Sequence, residues 1–291
     1  MKTVEIRSAH RCDFPRIAKL IARQNRTPES QCIISGDSYE SILQTMAKWD
    51  EASEICFAIA LRDGQLLGVL GSEFDQELAR GWLWGPFVFA EDWDEVAAVL
   101  LAKLLELLPA PIHRLDFFVN IANQRAYRFY LEHGFQKPEV SYVYVAPHPK
   151  KPFPLPKPCS RLQAEQSIRF RTLHDTLFPK TYYTGQDILD QLDDDHQVFI
   201  CSGGEDVLGY VYAIVDESGE GYIDFLGVRD DVRGRGLGKR LLLTALNWLF
   251  EYKDVLEVGL TVAQDLINAR SLYESAGFRI KHTGLSARKD W

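Results

Sequence analysis

Apolar positions along this 291-residue chain recur with period two in some stretches and near 3.6 in others, and the stretches follow a repeating order. The first half reads as a strand at 4–8, helices at 14–23 and 39–49, and strands at 55–61, 66–73 and 81–89. Asp63-Gly64 supplies the tight turn of the first hairpin. A helix at 94–108, a strand at 114–120, a helix and a last strand at 141–146 follow. The second half reads as helices at 164–174 and 185–192, strands at 197–202, 207–215 and 221–228, a helix at 237–252, a strand at 255–262, a helix at 269–275 and terminal strands. Gly203-Gly204 and Ser218-Gly219 fill its turns. Hairpins followed by β–α–β–α predict an α+β fold, an α/β mixed sheet, in each half. The second half shows no first strand of its own, and the segment before it is the candidate to supply one.

The halves resemble copies. Asn123-Gln-Arg-Ala-Tyr-Arg-Phe-Tyr-Leu-Glu-His-Gly-Phe135 and Asn268-Ala-Arg-Ser-Leu-Tyr-Glu-Ser-Ala-Gly-Phe278 align Tyr130 with Tyr273 and Gly134 with Gly277 at one common offset. Each block follows a helix-like and then a strand-like segment, so duplication is the economical reading. Between them, residues 147–158 carry six prolines in twelve positions, which favours extended backbone and a semi-rigid spacer. The expected division is 1–146, a linker 147–158, and 159–291.

Composition narrows the classes. Thirty-three Lys and Arg against 41 Asp and Glu leave a formal charge of −8, which argues against nucleic acid and anionic membrane as partners. No apolar run is long enough to span a bilayer, and the first twelve residues lack the apolar stretch of a secretory signal. Cysteines 12, 32, 56, 159 and 201 are odd in number and never form a C-x-x-C pair; unpaired thiols, no metal cluster and a cytoplasmic location are expected. The histidines show no metal-binding spacing, and His174 and His196 are expected to be ordinary structural residues.

The stretch from Gly221 to Leu243 carries the chemistry. A strand runs into a loop with Gly234, Gly236 and Gly238 at alternate positions, and a helix begins inside the loop. Glycines let backbone approach a ligand, and the amides and dipole of a helix start favour an anion such as pyrophosphate. Arg233, Arg235 and Lys239 add positive charge, while Leu242, Ala245, Leu246 and Leu249 anchor the helix in a core. The spacing is neither the dinucleotide G-x-G-x-x-G nor the triphosphate loop G-x-x-x-x-G-K-S/T. A glycine turn that merely begins a helix is the bland alternative.

Arg233-x-x-Gly236-x-Gly238, with Leu272-Tyr273-x-x-x-Gly277-Phe278 downstream, resembles the signature blocks of the GNAT superfamily of acyl-CoA-dependent N-acetyltransferases. The likeness covers the second half nearly end to end; the first half is similar in element order and second block only. The tandem layout is similar to that of mycothiol synthase and other double-domain members. The resemblance implies acetyl-CoA as cosubstrate, no metal, and a primary amine on a small molecule or peptide as acceptor. It also implies direct attack on the thioester through a tetrahedral intermediate. Backbone around Leu226, Gly227 and Val228 would bind the pantetheine and thioester carbonyl, and amides from Arg233 through Gly234, Arg235, Gly236, Leu237 and Gly238 to Lys239 the pyrophosphate. Tyr273 would protonate the leaving thiolate.

An amine of pKa near ~10.4 must lose a proton before it attacks. Asp224, read as lying on the same strand face as Val228, is the candidate base or the anchor of its water relay; a solvent-facing carboxylate is the alternative. The family often carries Asn seven residues before the tyrosine. Asn123 stands there in the first half, but Leu266 does in the second, so either an insertion has moved Asn268 or that contact is missing.

The first half has Gly85-Pro-Phe-Val-Phe-Ala-Glu-Asp-Trp-Asp-Glu95 opposite the glycine loop. Glu91, Asp92, Asp94 and Glu95 would repel a pyrophosphate, and a degenerate domain that does not bind CoA is expected. Phe178-Pro-Lys-Thr-Tyr-Tyr-Thr-Gly185 joins two helices where family members commonly meet their acceptor, with Asp190 and Asp193 to Asp195 beyond it. A non-catalytic acyl-CoA-binding module remains the alternative to an enzyme.

Overall fold

The computed structural model describes residues 4–154, 157, 159–179, 181–216 and 219–291. Leu155, Pro156 and Pro158 of the expected spacer, Lys180 of the acceptor-side segment and Ser218 of the expected turn lie outside the described residues.

Two compact units emerge, Met1–Ser141 with Thr283–Trp291, and Tyr142–His282. The first contains β1 (Glu5–Ser8), α1 (Phe14–Asn25), α2 (Tyr39–Glu51), β2 (Ile55–Arg62), β3 (Gln65–Asp75), β4 (Arg80–Val88), α3 (Trp93–Leu107), β5 (Arg114–Asn120) and α4 (Gln124–Glu132). Then β6 (Gln136–Pro147) leads into the second unit, which holds β7 (Ser160–Arg161), α5 (Ser167–Leu177), α6 (Gly185–Asp190), β8 (His196–Gly203), β9 (Asp206–Val215) and β10 (Gly221–Val228). It continues with α7 (Leu237–Asn247), β11 (Glu257–Ala263) and α8 (Ile267–Ser275), and β12 (Arg279–Asp290) ends the chain.

In the first unit the strands run β1-β2-β3-β4-β5-β12. α1 exists because Ile17, Ala18, Ile21 and Ala22 fall on one helical face and bury there, while Arg16, Lys19 and Arg23 face outward, and Pro15 sits in its first turn where no donor is lost. That face and α2's Ile42 and Met46 pack with Ile59, Val69 and Trp84; α3 covers the opposite face through Val96, Leu100 and Leu104. Each such side chain contributes about 1.5–3 kcal/mol by leaving water.

The expected domain boundaries are corrected by strand exchange. β5 pairs antiparallel with β12, from Gly284 opposite Asn120 to Asp290 opposite Arg114. The first unit therefore takes its last strand from the far end of the chain, and the strand expected at 141–146 belongs mostly to the second unit. Duplicated halves offer equivalent slots, so equivalent strands can exchange at little cost. Nor is the proline-rich segment, expected as a semi-rigid spacer, only a spacer: Phe153 exchanges two 3.0 Å hydrogen bonds with the Asn247 side chain, and the Cys159 amide just after it donates to Thr244 Oγ1 at 3.0 Å. These anchors tie it to α7 within the second unit.

The second unit orders its strands β6-β11-β10-β9-β8-β7, so the missing first strand is the short β7, just past the prolines. Its register, Ser160 opposite Ile200, brings Cys159 against Cys201. They form a disulfide with Cα atoms 5.2 Å apart, against the expectation of unpaired cysteines. A separation of 42 residues hides the pair; only the β7–β8 register reveals it. Leu242, Ala245, Leu246 and Leu249 are fully buried, as their spacing predicts. Among the described residues no helix is long and apolar enough to cross a membrane, and no group of three or more His, Cys, Asp or Glu could hold a metal.

Candidate active site

In the second unit β10 and β11 run parallel and pair at Gly221–Val258 and Tyr222–Gly259, near the start of β10. Leu226, Gly227 and Val228 lie at the other end of β10, where their registered partners are Val211, Tyr210 and Gly209 of β9. The loop then turns through Gly234 and Gly236, both left-handed (φ 77° and 76°), with open space where a side chain would stand. α7 starts at Leu237 with Gly236 as its cap, so no side chain satisfies the first-turn amides. A Cβ at Gly238 would meet Leu272 at 3.4 Å, Leu226 at 3.8 Å and Val228 at 3.9 Å. The glycine loop, the end of β10 and α8 thus meet at one place. Uncapped amides in a left-handed glycine loop fit a pyrophosphate.

The loop's cations are partly engaged. Arg233 pairs with Asp230 at 2.7 Å and donates to the Val228 carbonyl at 3.1 Å, and Arg235 reaches the Asp231 carbonyl at 3.4 Å. Lys239 is exposed on the first turn of α7.

Asp224 sits at a β-bulge. Ile223 pairs with Ala213 and Phe225 with Tyr212, leaving Asp224 as the extra residue. The bulge breaks the alternation that the sequence implied. Leu226 and Val228 pack toward α7, whereas Phe225 joins the core under α5, and a Cβ at Gly227 would point at Leu177 and Phe178 on that same side. Asp224 lies with Tyr182 there and not on Val228's face, which corrects the expectation. Its carboxylate accepts a 2.5 Å hydrogen bond from the Tyr182 hydroxyl. Burial pushes its pKa up to about 6, an effect the Tyr182 bond opposes.

Tyr273 on α8 is buried against Tyr144 and Phe278, and its hydroxyl makes no hydrogen bond among the described residues. Burial raises it to about 12, so it stays protonated at neutral pH. Tyr222 lies two residues before Asp224 on β10; burial pushes it to about 12, and the charge of Asp224 adds to the rise. Its hydroxyl donates to Thr261 at 2.8 Å.

Asn268 does not fall where the family's asparagine would. Leu266 caps α8 (φ −80°, ψ 61°) just as Asn123 caps α4 (φ −79°, ψ 60°), so there is no insertion, and Asn268 is exposed at the second position of the helix. The capping hydrogen bond from Ala126 to Asn123 has no side-chain counterpart at Leu266.

The first unit differs at the corresponding place. β4 and β5 pair from Arg80–Arg114 to Trp82–Asp116, and beyond that point the chain's own residues 31–33 enter. Cys32 bridges Val119, Ile33 donates to the Phe118 carbonyl at 2.9 Å, and Asn120 donates to the Gln31 carbonyl at 3.0 Å. Asn120 Nδ2 reaches Gln31 Oε1 at 2.8 Å, and Asn123 Nδ2 reaches the Gln31 carbonyl at 3.3 Å. Tyr130 is fully buried and donates to the Gly85 carbonyl at 2.8 Å. The acids at the start of α3 have cationic neighbours, Asp92 with Arg62 and Asp94 with Arg125. Residues 31–33 and Tyr182 were invisible as site elements in the sequence, apart from Tyr182's place in the acceptor-side segment.

A profile of the family described as "Acetyltransferase (GNAT) family" matches residues 17–135 and 165–278. Among solved structures, a GCN5-related N-acetyltransferase from Sphaerobacter thermophilus is similar with TM-score 0.75 at 19% identity, covering 99% of this chain and 95% of that one. A tandem GNAT protein from the clavulanic acid biosynthesis pathway reaches 0.66 at 12% identity, with 99% and 98% covered. An acetyltransferase from Colwellia psychrerythraea reaches 0.57 at 14% identity, with 98% and 100% covered. No curated protein matched in a sequence search.

Proposed function

The chain belongs to the GNAT acetyltransferase family, and from that premise we propose that its second unit alone transfers an acetyl group from acetyl-CoA to a primary amine. The observation that carries this reading is the open glycine loop at the uncapped start of α7, beside the end of β10 and within one turn of Tyr273's neighbour Leu272. Amides of residues 233–239 would hold the pyrophosphate, and backbone of Leu226 to Val228 the pantetheine. Asn268, exposed and off the capping position, is left out of that set.

Acetyl-CoA, when bound, supplies the activated thioester carbonyl. Asp224, ionised above about pH 6, takes a proton from the acceptor's ammonium. The freed nitrogen would add to the carbonyl carbon, and as the carbon–sulfur bond of that tetrahedral adduct breaks, the nitrogen's second proton would pass to the oxygen of Tyr273, replacing the one that the tyrosine gives to sulfur. Tyr273, protonated and without an internal hydrogen-bond partner among the described residues, donates to the departing sulfur. The first unit takes no part in cofactor binding, because its own residues 31–33 fill the corresponding gap.

A thiol-release assay on a panel of primary amines tests this: an arylalkylamine, an aminosugar, a polyamine and a lysine peptide. Turnover with at least one, lost in Tyr273→Phe while acetyl-CoA affinity holds, supports the reading. Binding of acetyl-CoA without release on any amine would favour the non-catalytic module instead.

A further inference from the structure

Asp224 does not stand alone in its pocket. It is flanked by Tyr182 from the segment before α6, by Tyr210 and Tyr212 of β9, and by Tyr222 of β10, which is itself bonded to Thr261 of β11. From α5 the titratable group is His174, whose ring lies 4.9 Å from that of Phe225, with Asp175 next to it in sequence. Of these groups only Tyr182 hydrogen-bonds the carboxylate, through Oδ1; Oδ2 accepts no hydrogen bond among the described residues.

The segment carrying Tyr182 is held from behind. His174 is fully buried, and its Nε2 lies 2.9 Å from the Tyr183 carbonyl. A carbonyl only accepts, so Nε2 carries the hydrogen. The other nitrogen, Nδ1, then accepts from the Tyr210 hydroxyl at 2.5 Å. Burial lowers the pKa of His174, which keeps the ring neutral and the tautomer fixed. Tyr182 also packs its ring 5.1 Å from those of Phe225 and Tyr183, tilted on the first and edge-on to the second. A chain from β9 through α5 thus fixes the backbone next to Tyr182, and packing fixes its ring.

We propose that Tyr182 is a positioning residue for Asp224, pinning Oδ1 so that Oδ2 is the atom left to receive the acceptor's proton, with neutral His174 holding Tyr182's segment in place. This rests on the proposed role of Asp224 as base. A base whose rotamer is fixed before the acceptor arrives loses less freedom at the reacting geometry. The same bond favours the ionised carboxylate against the cost of burial.

The test is Tyr182→Phe, which removes one oxygen and keeps the ring that packs on Phe225. In the intact protein, ¹³C-carboxyl NMR follows the titration of Asp224, its signal identified by loss in Asp224→Asn; no acceptor is needed. The wild-type midpoint is expected near 6 and the variant's higher by about one to two pH units. With the best amine of the panel, kcat is expected to fall about ten-fold, the acidic limb of the pH profile to move in the same direction, and the KM for acetyl-CoA to hold. An unmoved carboxyl midpoint overturns the proposal even if the enzyme proves active. Full turnover by Asp224→Asn would instead remove Asp224 as base, a failure of the functional reading that the NMR result distinguishes from a failure of the Tyr182–Asp224 bond.

Discussion

Tyr130 and Tyr273 occupy equivalent positions in the two units, each seven residues after the cap of its helix, yet their hydroxyls meet different fates. Tyr130 donates to the Gly85 carbonyl at 2.8 Å inside a closed core, while Tyr273 keeps its hydroxyl free of internal partners among the described residues. The copy with a spent hydroxyl is also the one whose strand gap is filled by protein. Tyr273→Phe is therefore expected to lower kcat by about 10²–10⁴-fold with acetyl-CoA affinity intact. Tyr130→Phe, by contrast, should leave kcat unchanged and cost about 1 kcal/mol of stability, read by denaturant unfolding.

The raised pKa of Asp224 makes a pH-dependent claim on stability. A carboxyl whose folded pKa lies above its unfolded value is most favourable to folding when protonated, and the folded state loses stability as pH rises through about 6. Asp224→Asn removes that loss. The variant should be more stable than wild type at pH 8, by up to about 3 kcal/mol, with the difference vanishing below about pH 4. A Tm difference that is the same at both pH values would contradict it.

The segment 31–33 should behave as structure and not as a displaceable lid. Asn120→Ala strips the side chain that bonds Gln31 Oε1 and is expected to destabilise the protein by about 1–3 kcal/mol. Acetyl-CoA affinity and turnover should be unaffected, since the proposed function assigns both to the other unit. A second acetyl-CoA site appearing in this variant would show instead that the segment merely competes with ligand.

Much of this was legible in the chain because it is local. The glycine loop and the Leu272-Tyr273-x-x-x-Gly277-Phe278 block are contiguous, and the helix begins at Leu237 inside the loop as its residues imply. What could not be read depends on pairing across long separations. β12 finds β5, Cys159 finds Cys201, and Cys32 finds Val119 only through sheet register. The face of Asp224 departs from the sequence expectation for a subtler reason: one bulged residue reverses the strand's alternation. Asn268 was ambiguous in sequence because a cap is defined by backbone conformation, and Leu266 holds that conformation.

Gly236 adopts φ 76°, which a β-branched side chain tolerates poorly, although nothing lies within 4 Å of the position it would fill. Gly236→Val should therefore distort the loop at a local cost of about 1–2 kcal/mol without disturbing the core. The most direct measurement of the central claim is a calorimetric titration of acetyl-CoA into the intact chain and into this variant. One site per chain is expected, weakened at least about ten-fold by the substitution, which corresponds to about 1.4 kcal/mol. Two sites per chain, no heat at all, or an affinity that Gly236→Val leaves untouched would contradict it.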